Sequence, residues 1–312
     1  MLSSNKFLLL IFSFVLLSGC VSTSKTDELS LKSPRYGHAA ANDGKNIYVL
    51  SGYNGSGALS DIEIINPDTN KVTVLKNKLI PRRFFSAVWD GKHSIYILGG
   101  MSFLNKQAMF EPRVEVFNTL THEVTFAKPL PFPTTRNTAA YVDEKIFVFG
   151  GSRFLKDKLA ATVVNFEYDI TQNKWSKKAN MPTAKSSKAV VKDGLIYLVG
   201  GYSDNKQKAL AVFEQYNPKT DQWTSLPSLP VTISAHSTDT INDKLYTFGD
   251  YHKLTSSYFY DFKNKKWQAA DIKLKGSRHN AVTTIKGKTY IIGGNTNRKS
   301  KSAVKHIQIF KL

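Results

Sequence analysis

Ile95-Tyr96-Ile97-Leu98-Gly99-Gly100 decides the fold. Four apolar residues closed by a Gly pair read as a strand buried on both faces, whose end needs positive φ or a close backbone approach. The same run recurs as Ile47-Tyr48-Val49-Leu50-Ser51-Gly52, Ile146-Phe147-Val148-Phe149-Gly150-Gly151 and Ile196-Tyr197-Leu198-Val199-Gly200-Gly201. Leu245-Tyr246-Thr247-Phe248-Gly249-Asp250 and Tyr290-Ile291-Ile292-Gly293-Gly294 complete six copies, spaced 44 to 51 residues apart. A period of that length marks repeated supersecondary units that bury their faces against one another.

A second column keeps the same period. Large residues stand seven positions apart at Ile65/Val72, Phe117/Val124, Tyr168/Trp175, Tyr216/Trp223 and Tyr260/Trp267, with turn formers between them. Each pair reads as a third strand, a tight turn and a fourth strand. Double Gly, then Tyr, then Trp at this spacing resembles the kelch repeat. The resemblance covers about Pro34 to Leu312 and implies one four-stranded propeller blade per repeat. Ser51 and Asp250 depart from the Gly pairs, and Val72 and Val124 from the Trp column. The expected fold is therefore all-β, a six-bladed kelch-type propeller over residues 28–312. The sixth repeat has a third strand at Lys305–Phe310 but no fourth. The segment Glu28-Leu29-Ser30-Leu31-Lys32 is expected to supply that strand and close the ring, which removes open edges.

The N-terminus sets the compartment. Lys6 precedes Phe7–Leu17, an apolar run of 11 residues, whereas a spanning helix needs about 20. Its length and flanks fit a secretory signal. Leu17-Ser18-Gly19-Cys20 resembles the lipobox of bacterial lipoproteins, which implies a signal peptide over 1–19, a lipidated Cys20 and a polar tether over 20–27. Val21 after the Cys, by the same resemblance, implies the outer membrane, periplasmic or surface-exposed. Cys20 is the only cysteine, so no intramolecular disulfide and no Cys-rich metal site can form.

The formal charge is +19, and 43 basic residues include only eight Arg. Basicity raises the question of nucleic acid, but export and the lack of a nucleic-acid motif exclude it. The remaining readings are a Lys-rich soluble surface and an attraction to anionic partners. The seven His residues are scattered without a metal-binding pair. His38 and His236 share one repeat column, which favours a structural role. Asn66-Pro67-Asp68-Thr69-Asn70 reads as a hairpin turn and not a calcium loop. No metal and no cofactor are expected.

Propeller geometry narrows the site. The start of strand a and the end of strand b of each blade lie on one face, so the residues there surround one channel mouth. Aligned on the b strands, the openings carry Arg35, Arg83, Arg136, Lys185, Ile233 and Arg278. The b–c loops add Tyr53, Asn54, Arg153, Phe154, Tyr202, Tyr251, His252, Asn295 and Arg298. Arg forks beside aromatic faces suit carboxylates, phosphates or sulfates. The ligand-binding set is therefore expected to be Arg35, Arg83, Arg136, Lys185, Arg278, Tyr53, Arg153, Tyr202 and His252. Blade five breaks the pattern with Ile233 and Asp250.

Three functions fit. The first is a membrane-anchored, monomeric binding module for an acidic sugar, an acidic peptide or an envelope protein. The second is an enzyme, because the chain resembles in fold and export the periplasmic kelch propellers that epimerise N-acetylneuraminate. That family uses a Glu and an Arg in the mouth, and Glu111 beside Arg113 is the nearby candidate. The third is a structural envelope component. An acid–base enzyme requires a carboxylate of raised pKa against an Arg inside the mouth.

Overall fold

The computed structural model describes residues 29–104, 107–298 and 300–312. The expected signal peptide, Cys20 and tether lie outside them.

Each repeat folds as one antiparallel sheet whose strands a to d follow chain order from the inside outwards. The first blade is Ala39–Asn42, Ile47–Leu50, Ile62–Asn66 and Lys71–Leu75. The a strands of the next five blades are Ser86–Trp89, Thr138–Val142, Ser186–Lys192, Ser237–Ile241 and Ala281–Ile285. Each neighbours the next, and Ala281–Ile285 packs back on Ala39–Asn42. Asn42 Nδ2 donates to Thr283 Oγ1 across that last junction at 2.6 Å. Among the described residues, six sheets thus stand in a closed ring, a β-propeller. Short hairpins extend two b–c connections: Met101–Leu104 with Gln107–Phe110, and Ser152–Leu155 with Lys158–Ala161.

The repeated runs are the b strands, buried along their length because both faces meet a neighbouring blade. The core is accordingly divided among the blade junctions. Ile62 and Tyr48 of blade one pack on Ile97 and Phe117 of blade two, and Val199 and Phe213 of blade four on Leu245 and Tyr260 of blade five. The second sequence column consists of true cross-strand partners: Ile65 faces Val72, Phe117 faces Val124, Tyr168 faces Trp175, Tyr216 faces Trp223 and Tyr260 faces Trp267. The indoles also tie blades together. Trp175, Trp223 and Trp267 each donate Nε1–H to a carbonyl of the preceding blade's exit, at Lys128, Ala179 and Pro227, all at 2.9 Å. Val72 and Val124 fill the same space without that bond.

Closure takes a shorter form than a full fourth strand. Blade six pairs Ala281–Ile285, Lys288–Ile292 and Ile307–Phe310. Ser30 then makes a single antiparallel bridge to His306, and Leu31 N–H donates to Lys305 C=O at 2.8 Å. The described chain turns inward directly afterwards, because the Glu63 carboxylate accepts the N–H groups of both Lys32 and Ser33 at 2.6 and 2.9 Å. Leu31 is 1% exposed and seals the junction of blades six and one with Ile47, Ile292 and Ile307. Leu31→Ala should therefore cost about 2–5 kcal/mol, read as a lower urea midpoint. An unchanged midpoint would show that the ring closes without this segment.

Candidate functional site

Strand pairing fixes the alignment of the six openings. Ala39, Ser86, Thr138, Lys188, Ser237 and Ala281 face Leu50, Leu98, Phe149, Val199, Phe248 and Ile292, the residue before each glycine position. Counting back from them separates three registers. The first holds Arg35, Arg82, Thr134, Lys185, Ile233 and Ser277. The second holds Tyr36, Arg83, Thr135, Ser186, Ser234 and Arg278. The third holds Gly37, Phe84, Arg136, Ala235 and His279, all at φ between 53° and 60°. Blade four has no third-register residue, and its strand runs on through a register shift between Ser186 and Lys188.

The expected ring of Arg35, Arg83, Arg136, Lys185 and Arg278 is thereby corrected, since these residues occupy three registers. Turns of unequal length and the missing residue in blade four displaced the alignment. Arg35 and Lys185 are fully buried and do not reach the mouth. Arg35 pairs with Glu63 at 2.6 Å, and Lys185 with Glu214 at 2.6 Å. Arg82, absent from the expected set, does the same with Glu115 at 2.6 Å. Burial pushes the pKa values of Arg82 and Lys185 down against the opposing pull of their carboxylates, and pushes Glu115 up.

An internal comparison settles what these pairs do. The c-strand position facing the first register carries Glu63, Glu115, Phe166, Glu214, Tyr258 and Gln308. A base stands opposite in each blade with Glu, and Thr134, Ile233 and Ser277 stand opposite in the others. The basic column is a structural lock, and the c-strand Glu was the signal in the sequence that could have revealed it. Lys185→Ile alone should cost about 3–5 kcal/mol by leaving Glu214 buried without a partner. Lys185→Ile combined with Glu214→Tyr, copying blade five, should recover most of it. Equal losses in the single and double variants, measured by denaturant unfolding, would contradict the lock.

The third register, with Thr135, Ser186 and Ser234 of the second and residues of the b–c loops, lines a cavity of about 900 Å³. Arg136, Tyr202, His252 and Arg298 line it, together with Lys188, Tyr251 and His279. Arg136 is engaged by Asp204 at 2.9 Å. Arg278 is buried, donates to the Tyr251 carbonyl at 3.0 Å and lies 4.1 Å from the Tyr251 ring centroid. Arg83 stands among aromatic faces, 4.9 Å from Tyr53, 5.3 Å from Phe84 and 5.7 Å from Phe103, with no carboxylate partner among the described residues. Arg298 lies 5.6 Å from the Tyr251 ring, also without one. Tyr53 sits at the rim against Tyr36. Arg153 is turned away, 4.3 Å from the Phe132 ring.

The imidazoles of His38, His236 and His279 are each held down to about 3. Burial is the main cause, followed by Arg35 and Lys188 for His38, Lys188 for His236, and Arg278 and Lys188 for His279. Among the described residues, no carboxylate of raised pKa is paired with an Arg of the cavity wall. Burial raises Glu111, but hydrogen bonds from Arg113 and Ser102 outweigh it and bring it down to about 2. Asp250 is spent on the N–H groups of Ser234, His252 and Lys253. Asp239, raised to about 6 by burial, lies on the blade-five inner strand beside Thr240 and Thr284. Among the described residues, no cluster of His, Cys, Asp and Glu could hold a metal.

A closed ring of repeated sheets with a polar channel mouth defines a propeller scaffold of the recognition type. The family model described as the KLHDC2/KLHL20/DRC7 Kelch-repeats domain matches residues 3–151 and 71–250, and the chain belongs to the kelch-repeat family. It is 27% identical over 240 residues to Kelch-like protein terF of Aspergillus terreus, covering 72% of this chain and 52% of that protein. It is 26% identical to Beta-scruin of Limulus polyphemus over 74% of this chain and 25% of that protein. Kelch-like protein 23 of Mus musculus is 26% identical over 68% of this chain and 36% of its own length. The chain thus spans about half or less of these relatives. Kelch-repeat proteins are typically protein-interaction modules, and most are not enzymes.

Proposed function

We propose that this chain is a lipid-anchored, monomeric binding module. Its channel mouth receives an anionic ligand, either an acidic sugar or an acidic peptide, or a segment of an envelope protein. The observation that carries the reading is the pair Arg83 and Arg298. Arg298 lines the cavity beside Tyr251, Arg83 stands over Tyr53 and over Phe84 of the cavity wall, and neither has a carboxylate partner among the described residues. A guanidinium backed by an aromatic ring keeps its fork available to two oxygens of an incoming acid. A non-catalytic role is favoured because Glu111, the candidate acid, is fully buried and held ionised by Arg113 and Ser102. The tether and Cys20 would hold the module at the outer membrane, on either side of it, without cofactor or nucleic acid.

Calorimetry against acidic peptides tests the mouth. Arg83→Ala and Arg298→Ala should each weaken binding by about 1.5–3 kcal/mol, and added salt should weaken it further. Affinity indifferent to both substitutions and to salt would refute an anion-binding mouth.

Fractionation tests the anchor. Wild-type protein should partition with membranes and Cys20→Ala protein should not. Mass spectrometry of an unlipidated mature N-terminus would refute it.

A further inference from the structure

Lys188 occupies a register at which the other five blades carry small side chains: Ala39, Ser86, Thr138, Ser237 and Ala281. Blade four alone lacks the left-handed residue that bends the other openings. Its strand runs on from Ser186 through a register shift to Lys188, and the one long cationic side chain of the register lines the channel there. Lys188 lines the channel cavity together with His38 of blade one, His236 of blade five and His279 of blade six.

Apart from the rim residues Arg83 and Arg298, the other basic side chains discussed around this ring have an offsetting group. Arg35, Arg82 and Lys185 have Glu, Arg136 has Asp204, and Arg278 has the Tyr251 carbonyl and ring. Lys188 has no hydrogen-bond or ion-pair partner among the described residues, and burial lowers its pKa with no carboxylate acting in the other direction. The surrounding wall is polar. His38 and His236 line it as neutral imidazoles close to the Ile292 and Val199 backbone, and Asn280 Oδ1 and Thr135 Oγ1 have no hydrogen-bond partner among the described residues. A half-buried cation without a counter-charge and unpaired polar atoms beside it both carry a cost. They persist where a ligand uses them.

We infer that Lys188 is the floor of an acid-group subsite, and that the ligand is a polyhydroxylated organic acid of monosaccharide to disaccharide size. The carboxylate supplies the charge that Lys188 lacks, and the neutral imidazole and amide wall suits hydroxyl groups where it would reject an alkyl chain. A cavity of about 900 Å³ leaves room for such a body. This assignment rests on the reading of the channel as an anion site, but it depends on Lys188 and not on the rim.

Calorimetry on the full mature protein decides it, with D-glucuronate and N-acetylneuraminate as probes and methyl glucuronate, glucose and acetate as controls. The two sugar acids should bind at least tenfold more tightly than the ester, glucose or acetate. Lys188→Met should lose at least tenfold for the acids while its thermal midpoint stays level or rises. Lys188→Arg should retain part of the affinity. Unchanged binding in Lys188→Met, equal binding of acid and ester, or no binding of either acid to the wild type would overturn the inference. If acidic peptides still bind and respond to Arg83→Ala and Arg298→Ala in that case, the rim reading stands without it. If Lys188→Met abolishes sugar-acid binding while the rim variants change nothing, the rim reading falls alone.

Discussion

One backbone hydrogen bond, repeated from blade to blade, governs the mouth. The N–H of the second residue of a Gly pair donates to the carbonyl that opens the next blade: Gly52 to Arg82, Gly100 to Thr134, Gly151 to Lys185, Gly201 to Ile233 and Gly294 to Arg35. On its other side the glycine meets its own blade's opening strand, where a Cβ on Gly201 would lie 2.1 Å from the Ser186 oxygen. A second belt sits one step further in. Arg136 N–H donates to Phe84 C=O, Phe84 to Gly37, Gly37 to His279 and His279 to Ala235. These bonds explain why bulky residues accept left-handed backbone there: the neighbouring blade holds both sides of the peptide. At blade five Asp250 replaces the Gly, and its carboxylate gathers the loop N–H groups instead.

The buried ion pairs serve the same geometry. Desolvation makes such pairs poor sources of net stability, so their value must lie in what else the acid holds. Glu63 receives Lys32 and Ser33 N–H, and Glu115 receives Ile80 N–H. These are the linker groups just before Arg35 and Arg82. Blade six does the job without charge: Gln308 accepts Lys275 N–H at 2.6 Å and donates back to the Lys275 carbonyl at 3.0 Å. Its opening residue is then Ser277 and no base is present. The base is thus a consequence of choosing a carboxylate to fasten the linker.

Strand b and the c–d pairs were legible in sequence because their side chains carry the period themselves. Six apolar runs and five partner pairs fall at the residues the spacing indicates. The openings were not legible to one residue. Their alignment depends on turn length and on a backbone bend that any residue from Gly37 to Arg136 can adopt, so Arg82 and Arg83 could exchange places on paper. The consequence of that single step is large, because adjacent registers point respectively into the blade and toward the mouth. The N-terminal closure was legible as far as Leu31, whose burial matches its apolar character. The turn at Lys32 was not, since it depends on Glu63 some thirty residues away.

Loss of one bent residue in blade four has effects beyond that blade. The inner belt of hydrogen bonds runs from blade five through six and one to three, and blade four is where it stays open. A strand freed from the bend can carry a long side chain at a level where the rest of the ring admits only Ala, Ser or Thr. The closed ring on either side supplies the rigidity that lets an uncompensated cation persist in a packed channel. Drift alone would be expected to shorten the side chain or provide a carboxylate, as the buried bases Arg35, Arg82 and Lys185 each have. Symmetry of the repeat makes the scaffold, and this one departure from it makes two sides of the channel chemically distinct.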